Sequence, residues 1–141
     1  MRVRDGSWER LEAGDIANLD ARGSVFAVDQ TDATLLERCQ RLDIHPTGPM
    51  WGRGLPASQG RISELETRVA AQLSAASELA QEAGMEQERR GLRLAVRDLQ
   101  WSREADAVVL RFRLARGSFA TTVLREIFDV GGSEGEANGD G

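Results

Sequence analysis

With 141 residues, 40% of them apolar, the chain can fill the core of one ordinary domain or of a piece of a larger one. Its single cysteine, Cys39, excludes an internal disulfide, and no window approaches the roughly 20 consecutive apolar residues of a membrane helix, so a soluble cytosolic protein is expected. The net charge of −5 argues against a nucleic-acid binder, yet nine of the 18 basic residues, all arginine, lie between Arg89 and Arg125 against three acids there. Arginine's planar fork suits phosphate, although an all-arginine complement is first a compositional trait.

The N-terminal Met1-Arg2-Val3-Arg4-Asp5-Gly6 has no apolar run behind its arginines and does not read as an export signal. Apolar runs at Asp15–Leu19 and Ser24–Val28, separated by Asp20-Ala21-Arg22-Gly23, predict two strands and a turn. Thr31 or Asp32 can cap a helix carrying Leu35, Leu36, Cys39 and Leu42 at helical spacing. From Asp43 to Gln59 the periodicity is lost. Pro46, Gly48, Pro49, Gly52, Gly54 and Pro56 predict a loop there rather than a helix or a central strand.

A second helix starts near Arg61, with Ile62, Leu65, Val69 and Leu73 on one stripe; it resumes after a Ser-Ala break and stops before Gly84, and the two segments are expected to cover a sheet. Leu92, Leu94 and Val96 then alternate with Arg93, Ala95 and Arg97, as Val108, Leu110, Phe112 and Leu114 alternate with Val109, Arg111 and Arg113. This predicts an antiparallel hairpin with one apolar face and one face gathering Arg93, Arg97, Arg111 and Arg113. Gly117-Ser118 offers an N-cap to a helix of Val123, Leu124, Ile127 and Phe128, and residues 131–141 are too polar and glycine-rich to fold. The fold class expected is α+β.

Several segments in order carry a family resemblance: Gly14-Asp15 opening a strand; Gly23-Ser24-Val25-Phe26; Gly48-Pro49-Met50-Trp51-Gly52, similar to a Gly-Pro-Leu-Trp-Gly segment; Gln87 to Leu94; Asp98-Leu99-Gln100-Trp101; and Leu114 to Glu126, similar to Leu-Pro-Ala-Gly-Ser-Phe-Ala-Thr followed by Leu-Arg-Glu. Over roughly residues 14 to 128 the chain resembles the C-terminal portion of the tRNA pseudouridine synthase D (TruD) family, with Ala115 in place of the family's proline. The resemblance implies that residues 1–94 are a small mixed α/β insertion domain, N-terminally truncated, and that 95–128 are the last hairpin and helix of a pseudouridine synthase catalytic domain; by composition, 129–141 are expected to form a disordered acidic, glycine-rich tail. The family's nucleophilic aspartate, its Gly-x-Lys-Asp neighbourhood and its Asn-Tyr-Phe-Gly-x-Gln-Arg-Phe-Gly type segment have no counterpart here, and the chain has no lysine at all.

By the same resemblance the activity is isomerisation of a D-arm uridine, at position thirteen of tRNA, with no cofactor and no metal. The base must leave its stack and be held while it turns. Phe119 stands where the family's phenylalanine meets substrate and would stack on the uracil; read from the residues alone it is a core aromatic. The hairpin arginines Arg93, Arg97, Arg111 and Arg113 are candidate phosphate contacts, or partners for carboxylates of the missing half. Arg125 and Glu126 read equally as a paired couple at a helix end or as residues ordering the site.

His45 has no second histidine and Cys39 lies on an apolar stripe, so neither supports a metal site or a nucleophile pair. Asp5, Asp15, Asp20 and Asp29 lack the neighbouring lysine, and no catalytic residue is assigned. The expected partners are tRNA and an N-terminal catalytic half, without which the chain would be an inactive fragment; no membrane is expected. The alternative is a free-standing RNA- or protein-binding module without catalysis. The hairpin's apolar face, with nothing in the insertion domain to cover it, favours the fragment.

Overall fold

A computed structural model of the chain describes residues 2, 4 and 6–128, so the expectation for the tail, 129–141, lies outside the described residues. The chain divides into two units, Met1–Ala95 and Val96–Gly141. Both combine helices with antiparallel strands, and the class is α+β. Among the described residues no helix is long and apolar enough to cross a membrane.

In the first unit, strands β1 (Ile16–Leu19) and β2 (Val25–Ala27) pair antiparallel, Ile16 opposite Ala27 and Asn18 opposite Val25. The Asn18 amide closes their turn by donating to the carbonyls of Arg22 (3.0 Å) and Ser24 (3.3 Å). Helix α1 (Ala33–Gln40) is capped by Asp32, whose carboxylate accepts from the Leu35 amide at 2.7 Å. Cys39 on α1 packs with Leu11, Ala17, Val28 and Ile44, and Leu19, Phe26 and Leu35 close over them.

The segment read as a loop contains strand β3 (Ile44–Met50), and it is central: the sheet order is β2-β1-β3-β4, with β4 at Glu88–Gly91. The prolines did not exclude it because β3 uses its two edges over different lengths. It pairs with β1 at Ile44, His45 and Pro46, and with β4 from Thr47 to Met50. The Pro46 carbonyl accepts from the Leu92 amide (2.9 Å), so its backbone groups face β4's side, ahead of the registered β4 pairs. By strand alternation Pro49 faces β1's side, past the last β1 pair. Each missing N–H therefore falls where its half of the strand has no ladder to maintain.

Helices α2 (Gly60–Ala71) and α3 (Ser74–Glu82) follow, with Gly84 in the left-handed region at φ 77° ending the pair. They share a cleft of about 420 Å³ with β3, lined by Trp51, Leu65, Val69, Leu73, Ala76 and Leu92 among others. Strand β4, Glu88-Arg89-Arg90-Gly91, has no apolar alternation to announce it. Arg89 holds it instead. Its guanidinium makes a two-point pair with Glu66 of α2, 2.9 Å at each oxygen, and donates to the Thr47 hydroxyl (2.9 Å) and carbonyl (3.0 Å). The Thr47 hydroxyl donates to the Ile16 carbonyl, and the Ser58 hydroxyl to Glu66, both at 2.5 Å, so β1, β3, β4 and α2 meet in one buried polar cluster.

The hairpin exists but is displaced from its expected position. Its strands are β5 (Arg97–Glu104) and β6 (Ala107–Arg113), turning at Ala105-Asp106, whereas Leu92, Arg93 and Leu94 belong to the first unit. Leu99 and Trp101 on β5 stand where Leu92, Leu94 and Val96 were expected. A bulge between Arg97 and Gln100 sets Asp98 at φ 52°, a conformation aspartate tolerates better than most residues. Helix α4 (Ala120–Ile127) ends the described chain.

Glu66→Ala leaves the Arg89 charge buried and unmatched, and is expected to destabilise the first unit by about 3–5 kcal/mol in urea unfolding. A Cβ on Gly52 would sit 2.4 Å from the Met85 carbonyl oxygen and 2.5 Å from the Glu86 carbonyl carbon, both rigid backbone, whereas on Gly48 it meets only the Leu92 side chain, at 3.0 Å. Gly52→Ala is therefore expected to lower the unfolding midpoint clearly more than Gly48→Ala.

Candidate functional site

In the hairpin, Arg97 lies opposite Arg113, and Gln100 opposite Arg111. Arg111 is exposed on the same face as Gln100, and Arg113 pairs with the carboxylate of the bulged Asp98. On the other face Trp101 lies opposite Leu110, and Arg103 opposite Val108. Trp101 is 73% exposed and Leu99 and Val108 are about half exposed, so an apolar surface does project from the second unit, with Trp101 and Leu99 in it rather than Leu92, Leu94 and Val96.

Arg93 does not join this basic face. It lies in the chain between β4 and β5, within the first unit, where its Nε donates to His45 Nδ1 (3.0 Å), its Nη1 to the Glu9 carbonyl (3.0 Å), and its Nη2 to the carbonyls of Cys39 and Ile44 and the Cys39 sulfur. The alternation that suggested a strand reflected a chain held by one side chain, and periodicity does not encode that.

The Gly117-Ser118-Phe119 segment leads into α4. Gly117 lies at φ 85°, and a Cβ there would meet nothing within 4 Å, so glycine is needed for its backbone conformation rather than for space. The Ser118 amide donates to the Ala115 carbonyl (3.1 Å), closing the turn without the family's proline. The N-cap residue is Phe119, not Ser118, and no side chain caps the helix. Because N-cap backbone is extended, the Phe119 ring leaves the helix axis and is 69% exposed, while Val123, one turn on, is buried. The helix's first turn has no acidic residue, so its forward amides are not met by a nearby carboxylate of that turn. Arg125 and Glu126 are both exposed.

Of the four aspartates weighed as catalysts, Asp15 and Asp20 have structural work in the first unit, Asp29 is exposed, and Asp5 lies outside the described residues. Asp15 is fully buried, holding Arg2 and accepting from the Glu12 amide (2.7 Å), beside Gly14, whose Cβ would lie 2.3 Å from the Gln59 carbonyl oxygen. Asp20 takes the other side of His45, 2.9 Å from Nε2. Since Arg93 Nε can only donate, His45 Nδ1 accepts and Nε2 carries the proton toward Asp20. Among the described residues no three His, Cys, Asp or Glu side chains converge on a point that could hold a metal ion. The cleft beside α2 is no better as a reaction site. Its walls are chiefly apolar, and its charged groups Arg2 and Glu66 are already paired with Asp15 and Arg89.

The sequence profile of the family described as tRNA pseudouridine synthase D (TruD) matches residues 1–127. The chain belongs to the TruD family. Among curated relatives, a tRNA pseudouridine synthase D of Psychrobacter arcticus is 42% identical over 135 residues, covering 89% of this chain and 33% of that protein. Those of Nitrosococcus oceani and Pseudomonas putida are 41% and 40% identical, covering 89% and 92% of this chain and 36% and 37% of theirs. The TruD segment thus spans about a third of the length of the relatives it matches. A crystal structure from Methanosarcina mazei, assigned to TruD, superposes with a TM-score of 0.61 at 24% identity over 92% of this chain and 34% of that one, a likeness of fold.

Gly117→Ala is expected to strain the turn before Phe119 by about 1 kcal/mol, the cost of a left-handed residue with a Cβ. Gly117→Asn should cost less, and amide exchange at residues 118–122 distinguishes the two.

Proposed function

We propose that this chain forms the insertion domain, residues 1 to about 94, and the closing hairpin and helix of the catalytic domain, 95–128, of a cytoplasmic tRNA pseudouridine synthase. The enzyme isomerises a D-arm uridine at position thirteen without cofactor or metal. The nucleophilic aspartate comes from a catalytic half outside this sequence, and the chain alone is inactive.

The observation that carries this reading is the exposed Phe119 ring at the N-cap of α4, inside the Leu114–Glu126 block. A base removed from its stack loses the contact of its neighbours, and an aromatic face returns about 1–3 kcal/mol of it while leaving the glycosidic bond open to attack. The first-turn amides of α4 lie beside that ring, where a phosphate of the same nucleotide is favoured. Arg97 and Arg111 add charge on the hairpin, where Arg113 is already paired with Asp98, a contribution that fixes register on the backbone without reading sequence. The apolar surface of Leu99, Trp101 and Val108 fits burial against the rest of a catalytic domain better than exposure on a free binding module.

The chain should be assayed for pseudouridine in tRNA alone and together with the product of a neighbouring reading frame that encodes Gly-x-Lys-Asp. Activity only in the pair supports the proposal. A folded, monomeric chain that binds RNA, with no such frame beside it, supports the binding-module alternative. In the active pair, Phe119→Ala is expected to lower turnover by about tenfold or more, in line with one lost stacking contact. Arg111→Ala should weaken tRNA binding uniformly and reduce the slope of log K against log salt by up to about one.

A further inference from the structure

Resting on that reading, we infer that Arg93 is a positioning residue of the isomerisation: it fixes the point at which the chain leaves the first unit on its way to the segment that carries Phe119. Residues 92–96 separate β4 from β5 and belong to neither strand. The Leu92 amide, bonded to the Pro46 carbonyl, secures the start of the segment through the backbone. One residue on, the guanidinium of Arg93 ties it to three further elements. From one side chain it reaches the 3-10 turn at Ser7–Glu9, the last turn of α1 at Cys39, and the start of β3 at Ile44 and His45.

The chemistry of these partners separates Arg93 from an ordinary surface arginine. Three are carbonyls, one is a ring nitrogen and one a sulfur, so the contact is directional, and the planar fork alone matches it. His45 is locked in turn by Asp20, which sets the tautomer that can accept from Nε. The positive group also lies at the carbonyl end of α1, where the helix dipole favours it. A lysine keeps the charge but, with one ammonium, cannot span Glu9, Cys39 and His45 together.

The test compares Arg93→Lys with Arg89→Lys, which weakens the same unit through the Glu66 cluster and leaves the Leu92 amide and the Arg93 side chain bonded. In the 141-residue chain, Arg93→Lys should speed exchange of the Leu92 amide, the bonded amide of this segment, by about tenfold or more while the β1 and β3 amides keep their protection; Arg89→Lys should do the reverse. In the active pair, Arg93→Lys should lower kcat at least about tenfold with KM for tRNA changed less than about threefold, since the Phe119 segment is proposed to hold the turned base in its reacting geometry rather than to dock the tRNA. Equal losses for the two variants, in proportion to their loss of stability, would overturn the inference. So would unchanged exchange at the Leu92 amide. A wild-type pair that makes no pseudouridine would instead overturn the functional reading itself.

Discussion

A central strand with two prolines is the constraint around which the first unit is organised. β3 lacks the N–H groups of Pro46 and Pro49, and it can be sandwiched between neighbours only if each gap falls outside the ladder in use and other donors reach the carbonyls left behind. Two arginines do this. Arg89 from β4 donates to the Thr47 carbonyl, and Arg93 from the segment after it donates to the Ile44 carbonyl. Side chains thus complete a sheet that the backbone alone would leave unfinished.

This arrangement explains why so much of the unit's interior is polar. Its apolar cluster is small, centred on Leu11, Ala17, Val28, Cys39 and Ile44, and three guanidiniums work around it: Arg2 on Asp15, Arg89 on Glu66 and Arg93 on the carbonyls of three elements. A two-point pair such as Arg89–Glu66 is a matter of specificity more than of stability, since two buried charges lose hydration when they meet; what they determine is which helix crosses which strand, and in which register. The all-arginine composition therefore bears directly on structure, because a lysine ammonium has no planar fork with which to bridge such partners.

The second unit differs in kind. Its hairpin and helix leave Trp101, Phe119 and several aliphatic side chains exposed, and Gly117, in the left-handed region just before the helix, turns the chain so that Phe119 stands at the N-cap. The aromatic is prominent because the helix begins one residue later than the serine suggested. Ser118 is engaged in the turn through its amide, and the extended backbone that an N-cap requires falls on Phe119.

The amino-acid sequence by itself determined the strands β1 and β2, the three helices α1, α2 and α3 with a cap at Thr31 or Asp32 and Gly84 as a stop, and the family, because these rest on local signals: alternation, helical spacing, turn residues and ordered motifs. It did not reveal β3 or β4, the displacement of the hairpin, or the place of Arg93. β3 was hidden by prolines whose harm depends on which neighbour each faces, and β4 by arginines that look solvated until Glu66 and Thr47 are found beside them. Likewise, Arg93 and Arg97 look equivalent in an alternating run, yet one lies ahead of the strand and the other begins it. Only tertiary structure decides such cases, because a hydrogen bond between residues some fifty positions apart leaves no periodic trace in either stretch of chain.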